Sequence, residues 1–213
     1  MRAIVYVEGP SDKAAMQALL RPLIDQKRQK GIAIEFFDSH NGDSKRSVLV
    51  KVPIRAVNIL VNDPHSVVVA LPDLYPPNKA FQHETFDELK RGIVKNFQDA
   101  LTAKGITDDV HLKERFKVFC FKHDLEALIL ASGEGLKTRL GTNALNVSWR
   151  IPVEDQNHDN PPKRVVEGLF TKYGKRYKDT VDAPYILGSC RHQDIAAQCP
   201  QCFKPFVDFL GSL

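Results

Sequence analysis

Apolar and polar positions alternate along the chain between two periods. Ile4-Val5-Tyr6-Val7 is a β-branched and aromatic run that predicts a first strand, closed by Glu8 and the turn residues Gly9-Pro10. Ala14, Ala15, Ala18, Leu19 and Leu23 then recur at helical spacing, with Ser11 or Asp12 placed to cap the helix and Pro22 placed to kink or divide it. Ile32 to Phe37 reads as a second strand and His40 to Asp43 as a loop. Val48, Val52, Val57 and Leu60 suit a helix interrupted near Pro53 and ended by Asn62-Asp63-Pro64. Ser66 to Leu71 is an unbroken apolar run, as expected of a strand covered on both faces of a parallel sheet, and it delivers Asp73.

Asp73 to Pro77 is a loop, and Phe86, Leu89, Ile93, Phe97 and Leu101 share one face of a helix predicted over His83 to Lys104. Phe116 to Phe121 predicts a further strand leading into a short helix, with Asp124 near its N-terminus and Glu126 just inside. Residues 132–160 read as polar and irregular, and Asn157 to Pro162 as a loop. Pro162 fits the first turn of a helix carrying Val165, Val166, Leu169 and Phe170, and short helical pieces follow to Phe206, Phe209 and Leu210. Strands alternating with helices predict an α/β fold with a parallel sheet flanked by helices. The expected division is an α/β domain over 1–131 and a basic, mostly helical portion over 132–213 packed on the same core.

Composition narrows the class without naming it. In 213 residues, 43% are hydrophobic and 26% charged, and no stretch approaches the ~18 uninterrupted apolar residues of a membrane span. The first strand begins at once, with no leader, so a cytoplasmic protein is expected. Four cysteines are too few for a disulfide framework; thiols are expected, with Cys120 a small buried hydrophobe. The net charge of +4 is mild, but Lys163, Arg164, Lys172, Lys175, Arg176 and Lys178 crowd one segment in which Glu167 is the sole acid before Asp179. That segment is either a solvated helix face or a track for backbone phosphates.

The candidate chemistry follows from topology. Parallel strands joined by right-handed crossovers bring Glu8 and Asp73 out at one edge of the sheet, where ligands of open α/β sheets gather. The cluster His123, Asp124 and Glu126 follows a later strand. Hard cations such as Mg²⁺ or Mn²⁺ take oxygen ligands, commonly one or two carboxylates with water and phosphate completing the shell. Such a centre suits phosphodiester hydrolysis, with Glu8 and Asp73 as ligands and Glu126, together with Asp124, as a further ligand or general base. Each residue also has a plainer reading: Glu8 as a solvated strand-end charge, Asp124 as a helix-dipole partner, Glu126 as an exposed helix charge, His123 as a hydrogen-bonded structural histidine. Cys199-Pro-Gln-Cys202 has the gap of half a zinc site, with Cys190 and His192 as further ligands; the alternative is free thiols in a helical tail.

These residues carry a resemblance. Val7-Glu8-Gly9-Pro10-Ser11-Asp12 after a first strand and Asp73 after a later one resemble the two metal motifs of the TOPRIM fold, shared by topoisomerases, DnaG-type primases and OLD-family nucleases. The chain is similar to a bacterial TOPRIM-like family through Glu8, Asp73 and Tyr75, then His123, Asp124, Glu126, Ala127 and Leu128, then Lys163-Arg164 and Cys199-Pro200. The resemblance implies a TOPRIM-like Rossmannoid sheet and a Mg²⁺- or Mn²⁺-dependent nuclease acting on DNA or RNA. It further implies a place in anti-phage defence beside an SMC-like or AAA ATPase, with Lys163 and Arg164 on phosphate. The second motif departs from the usual pattern, having Asp73 but no second acid. The other reading is therefore a catalytically inactive TOPRIM-derived subunit that binds or regulates an ATPase complex. A small-molecule phosphatase is a third.

Overall fold

The computed structural model describes residues 1–39, 43–107, 109–156 and 158–213. Residues 40–42 of the expected His40 to Asp43 loop, and Asn157 of the later one, lie outside the described residues. In chain order the elements are β1 (Arg2–Val7), α1 (Pro10–Leu19), α2 (Arg21–Gln29), β2 (Ala33–Asp38), α3 (Ser44–Arg46), a π-helical turn (Ser47–Lys51) and α4 (Val52–Asn62). They continue through β3 (Ser66–Ala70), α5 (Phe86–Ala103), α6 (Val110–Arg115), β4 (Phe116–Val118), α7 (Glu126–Ala131) and α8 (Gly133–Leu140). A 3₁₀ turn (Val153–Asp155) then precedes α9 (Pro162–Lys172), α10 (Asp179–Gly188), α11 (His192–Gln198) and α12 (Phe203–Ser212). The fold is α/β, with a parallel sheet flanked by helices. No helix among the described residues is long and apolar enough to cross a membrane.

The chain divides into two compact units, Met1–Gly9 with Ile24–Cys120, and Pro10–Leu23 with Phe121–Leu213. The first holds the sheet, of strand order β2-β1-β3-β4 and parallel throughout, with Ile4 opposite Glu35 on one side and Val68 on the other. All five residues of β3 are buried, as its uninterrupted Val run requires of a central parallel strand. Helix α5 buries Leu89, Ile93, Phe97 and Leu101 from one face, and Phe97 stacks on Phe116 of β4 with ring centroids 4.4 Å apart.

Three boundaries differ from the sequence reading for local reasons. Helix α5 starts at Phe86 rather than His83 because Thr85 and Glu88 form a reciprocal capping box there. The break expected near Pro53 falls one turn earlier, in the π-helical turn; Pro53 sits in the first turn of α4, where its missing N–H leaves no bond unmade. The last strand stops at Val118, although the Phe119 amide still donates to the Ala70 carbonyl at 3.0 Å.

The second unit is helical. Every residue of α7, Glu-Ala-Leu-Ile-Leu-Ala, is buried, as expected of a central helix that is apolar on nearly all sides. Helices α8, α9 and α10 pack around it, and α1 packs on α10. Residues 132–160, expected to be irregular, contain α8, closed by Gly141 in the left-handed conformation. Its glycines hide it from propensity, yet Gly135 has a packing reason: a Cβ there would lie 2.9 Å from the Ile186 carbonyl of α10.

Candidate functional site

In the first unit, β1 and β3 are hydrogen-bonded neighbours, so Glu8 and Asp73 leave the sheet at the same edge. The Asp73 backbone N–H donates to Glu8 Oε1 at 2.9 Å. Both residues are partly exposed. Strand β2 ends beside them on Asp38, in register with Val7, a strand-end acid that the same apolar-run-then-carboxylate pattern would have found.

Sequence reading missed the cation of this region. Lys45, on α3, is only 8% exposed. Its ammonium donates to the Pro76 carbonyl at 2.6 Å and to the Leu74 carbonyl at 3.3 Å, both on the loop that begins at Asp73. Burial pulls this lysine below its ordinary range, and the charges of Glu8 and Asp73 work against that fall. Asp43 caps α3 by accepting the Arg46 amide at 2.8 Å and also accepts from Asn78 at 3.0 Å, pinning the same loop further on. Buried His83 sets its Nε2 3.2 Å from the Leu74 carbonyl. The Tyr75 hydroxyl is turned away to donate to the Glu84 carbonyl.

In the second unit, Asp124 and Glu126 come together with Lys163, Tyr177 and Asp179. The Lys163 amide, in the first turn of α9, donates to Asp124 Oδ2 at 3.2 Å, while Asp124 Oδ1 is buried without a hydrogen bond. Burial, and then the neighbouring Glu126, push the Asp124 carboxyl up to about 7. Glu126 is 3% exposed and burial raises it as well, with the Lys163 charge opposing. The Tyr177 hydroxyl is buried beside Glu126 short of a well-formed hydrogen bond; burial and Glu126 both raise its pKa. The Lys163 ammonium stands 3.6 Å from Asp179; burial opposes its charge, but Glu126 and Asp179 outweigh burial and its pKa rises. Glu126 is thus a buried member of a proton-holding pair, not the exposed helix charge of the plainer reading. His123 packs its ring 5.2 Å from that of His158, and burial lowers its pKa.

The basic segment is partly committed to structure. Lys172 donates to the Asn146 carbonyl at 3.1 Å and Lys175 to the Arg139 carbonyl at 2.6 Å. Arg164 reaches the Asp159 carbonyl at 2.8 Å, and Arg176 is exposed. Among the cysteine-tail residues, Cys199 is fully buried and burial, with Glu154 beside it, raises its thiol, away from the thiolate a metal takes. Cys190 donates to the Ile186 carbonyl at 3.3 Å, and His192 is buried on α11. Sequence reading also missed Glu154, whose buried carboxylate accepts the amides of Gln201 at 2.6 Å, Cys202 at 2.8 Å and Phe203 at 3.2 Å, so it caps α12 from 47 residues away.

Among the described residues no three His, Cys, Asp or Glu side chains are arranged as ligands of one metal ion. The donor set at Glu8 and Asp73 nevertheless fits a hard divalent cation of the kind held by two carboxylates, with water filling the other positions. It does not fit a soft metal needing a closed protein cage.

Comparison with known proteins places the chain. No curated protein matches it. Among solved structures it is similar to the C-terminal region of the Burkholderia pseudomallei OLD protein, at 16% identity and a TM-score of 0.47, over 99% of this chain and 97% of that one. It is also similar to the C-terminal region of the Xanthomonas campestris pv. campestris OLD protein, at 15% identity and a TM-score of 0.42, over 98% of this chain and 96% of that one. The family model of a domain of unknown function matches residues 7–211, and the chain belongs to that family, DUF4276.

Proposed function

We propose that the protein is a nuclease dependent on Mg²⁺ or Mn²⁺, with Glu8 and Asp73 as the metal's carboxylates and a TOPRIM-like sheet as their scaffold. The observation that carries this reading is the 2.9 Å bond from the Asp73 amide to Glu8, which fixes two partly exposed acids from adjacent parallel strands at one sheet edge. When bound, the ion orients a phosphate and neutralises the charge that develops on it. Glu8 and Asp73 hold that position, and the Lys45 and His83 contacts keep the loop after Asp73 from moving away. Asp124, whose carboxyl titrates near neutrality, has the proton affinity of a general base or acid, with Glu126 tuning it. Lys163, Arg164 and Arg176 supply phosphate contacts, and Lys172 and Lys175 do so to the extent their carbonyl partners release them.

The test is cleavage of single- and double-stranded DNA and RNA with Mg²⁺ or Mn²⁺, alone and with an ATPase encoded beside it. Glu8→Gln and Asp73→Asn should each lower the rate by roughly 100-fold or more, as loss of a metal ligand does. If the wild-type protein cuts nothing, or both variants cut equally well, the nuclease reading fails and a binding or regulatory subunit of an ATPase complex takes its place.

A further inference from the structure

We propose that Tyr185 and Arg139 form a nucleobase-stacking platform in the second unit, whose ligand is a single-stranded nucleic acid with its phosphates on the cations of residues 172–178. The inference builds on the phosphate contacts proposed for that segment and uses nothing of the Glu8–Asp73 centre. It begins with an exposed ring. Tyr185 on α10 is 55% exposed, and Val181, one turn earlier on the same face, is 52% exposed. A lone exposed tyrosine is ordinary, but this one has a built support.

The Arg139 guanidinium, on α8, lies over one face of the ring at 4.6 Å from its centroid. Arg139 is held in turn by Asp182, which is only 3% exposed. Asp182 Oδ1 accepts the Arg139 Nε–H at 2.6 Å and pairs with Nη2 at 2.5 Å, while Oδ2 accepts the Lys178 amide at 2.6 Å. With one face covered by the guanidinium, the exposure of Tyr185 belongs to the opposite face and the rim. A flat ring already held in place loses little freedom when a base stacks on it, and every base offers a π-face.

The charge beside the platform selects an anion. Residues 172–178 carry Lys172, Lys175, Arg176 and Lys178 and no acid, and all four cations are exposed. Lys172 and Lys175 donate to neutral carbonyls, of Asn146 at 3.1 Å and of Arg139 at 2.6 Å. An ammonium has three N–H donors, so each keeps others for a phosphate oxygen. Lys175 is thereby tied to the backbone of the arginine that supports the ring. The acids of α8 and α10 each stand beside a cation already: Glu134 with Lys137 at 2.7 Å, Asp179 with Lys163 at 3.6 Å, and Asp182 with Arg139. A duplex keeps its base faces inside its own stack, so only an unpaired strand presents phosphates and open bases together.

Fluorescence anisotropy of the full chain with a labelled oligothymidylate and with an abasic strand of the same length tests this, in EDTA so that nothing is cut. Wild type should bind the oligothymidylate about tenfold more tightly than the abasic strand. Tyr185→Ala should erase that difference by weakening the oligothymidylate alone, and Tyr185→Phe should keep it. Lys175→Gln should weaken both strands alike and reduce the slope of log K against log salt by about 0.7. Wild type that binds both strands equally, or neither, overturns the proposal, as does a Tyr185→Ala protein with wild-type preference. Self-association that Tyr185→Ala abolishes in sedimentation while strand binding is unchanged would make the patch a contact between copies instead. Should Tyr185→Ala fail to fold, the wild-type comparison of the two strands and Tyr185→Phe decide. Base-dependent binding by a protein that cuts nothing keeps this proposal and removes the nuclease reading; cleavage without base-dependent binding does the reverse.

Discussion

The two units treat their carboxylates in opposite ways. At the sheet edge of the first, Glu8 and Asp73 are partly exposed, Glu8 accepts a backbone N–H, and a buried lysine holds the loop that begins at Asp73. In the second, Glu126 is buried on a central apolar helix and Asp124 is half-buried beside it; burial raises the proton affinity of both, and Glu126 raises that of Asp124 further. They are disposed to hold protons. Sequence places an acid after an apolar run in each case, and the surroundings decide whether that acid meets solvent or is disposed to hold a proton.

A third carboxylate sharpens the comparison, because Glu154 is as buried as Glu126 yet is held by several backbone amides. Glu154 accepts three amides at the start of α12, whereas Asp124 accepts the Lys163 amide on Oδ2 and keeps Oδ1 without a hydrogen bond. Glu154→Ala strands those amides inside the second unit and should lower its stability by about 4 kcal/mol, at 1–3 for each buried unpaired group with partial recovery by water. Glu154→Gln, which keeps one acceptor oxygen, should fall between. Urea unfolding followed by circular dichroism measures both. A loss below ~1 kcal/mol for the alanine variant would mean that burial does not distinguish these acids.

The next effect is smaller and has a sign. Asp124 titrates at about 7 in the fold against an ordinary aspartate value of 3.8, so between those two pH values the folded state binds more protons than the unfolded chain. Stability contributed through this group is therefore present below about pH 4 and lost as pH rises through 7. Burial makes the loss substantial, on the order of 3 kcal/mol, shared with Glu126. Asp124→Asn keeps an oxygen for the Lys163 amide and removes the titration. Its unfolding free energy should match wild type near pH 4 and exceed it at pH 8. Parallel curves for the two proteins would refute a proton-holding pair.

How much of this was legible in the chain depends on whether the signal was local. The β-branched runs of β1, β2 and β3 announce a parallel sheet, and their order puts Glu8 and Asp73 on one edge before any coordinate is known. Pro162 marks the start of α9 because the first turn of a helix leaves its N–H unbonded in any case, so a proline there leaves no bond unmade. Lys45 was not legible: it stands as a polar position at the start of the helix expected from Lys45 to Leu60, and only the return of the chain some thirty residues later, with the Leu74 and Pro76 carbonyls, buries it. Glu154 is equally silent in an acidic loop, since its partners lie at Gln201 to Phe203. The glycines of α8 argue against a helix locally and for it globally, because Gly135 admits the backbone of α10.

The smallest expected effect tests the comparison from the other side. If the sheet-edge acids serve a cation and contribute little to the fold, removing one should hardly change stability. Glu8→Ala loses the hydrogen bond from the Asp73 amide, which is worth about 1 kcal/mol. The same substitution removes one of the negative charges acting on Lys45 and, on the proposed reading, an oxygen of the metal site. Thermal unfolding without metal should therefore nearly coincide for Glu8→Ala and wild type. On addition of Mn²⁺ the two should separate, since a ligand that binds the folded state alone stabilises it by RT ln(1 + [L]/Kd), and only wild type retains the site. Coincident curves with the metal present would mean that Glu8 holds the Asp73 amide and nothing else, and the contrast between a cation site and a proton site would be lost.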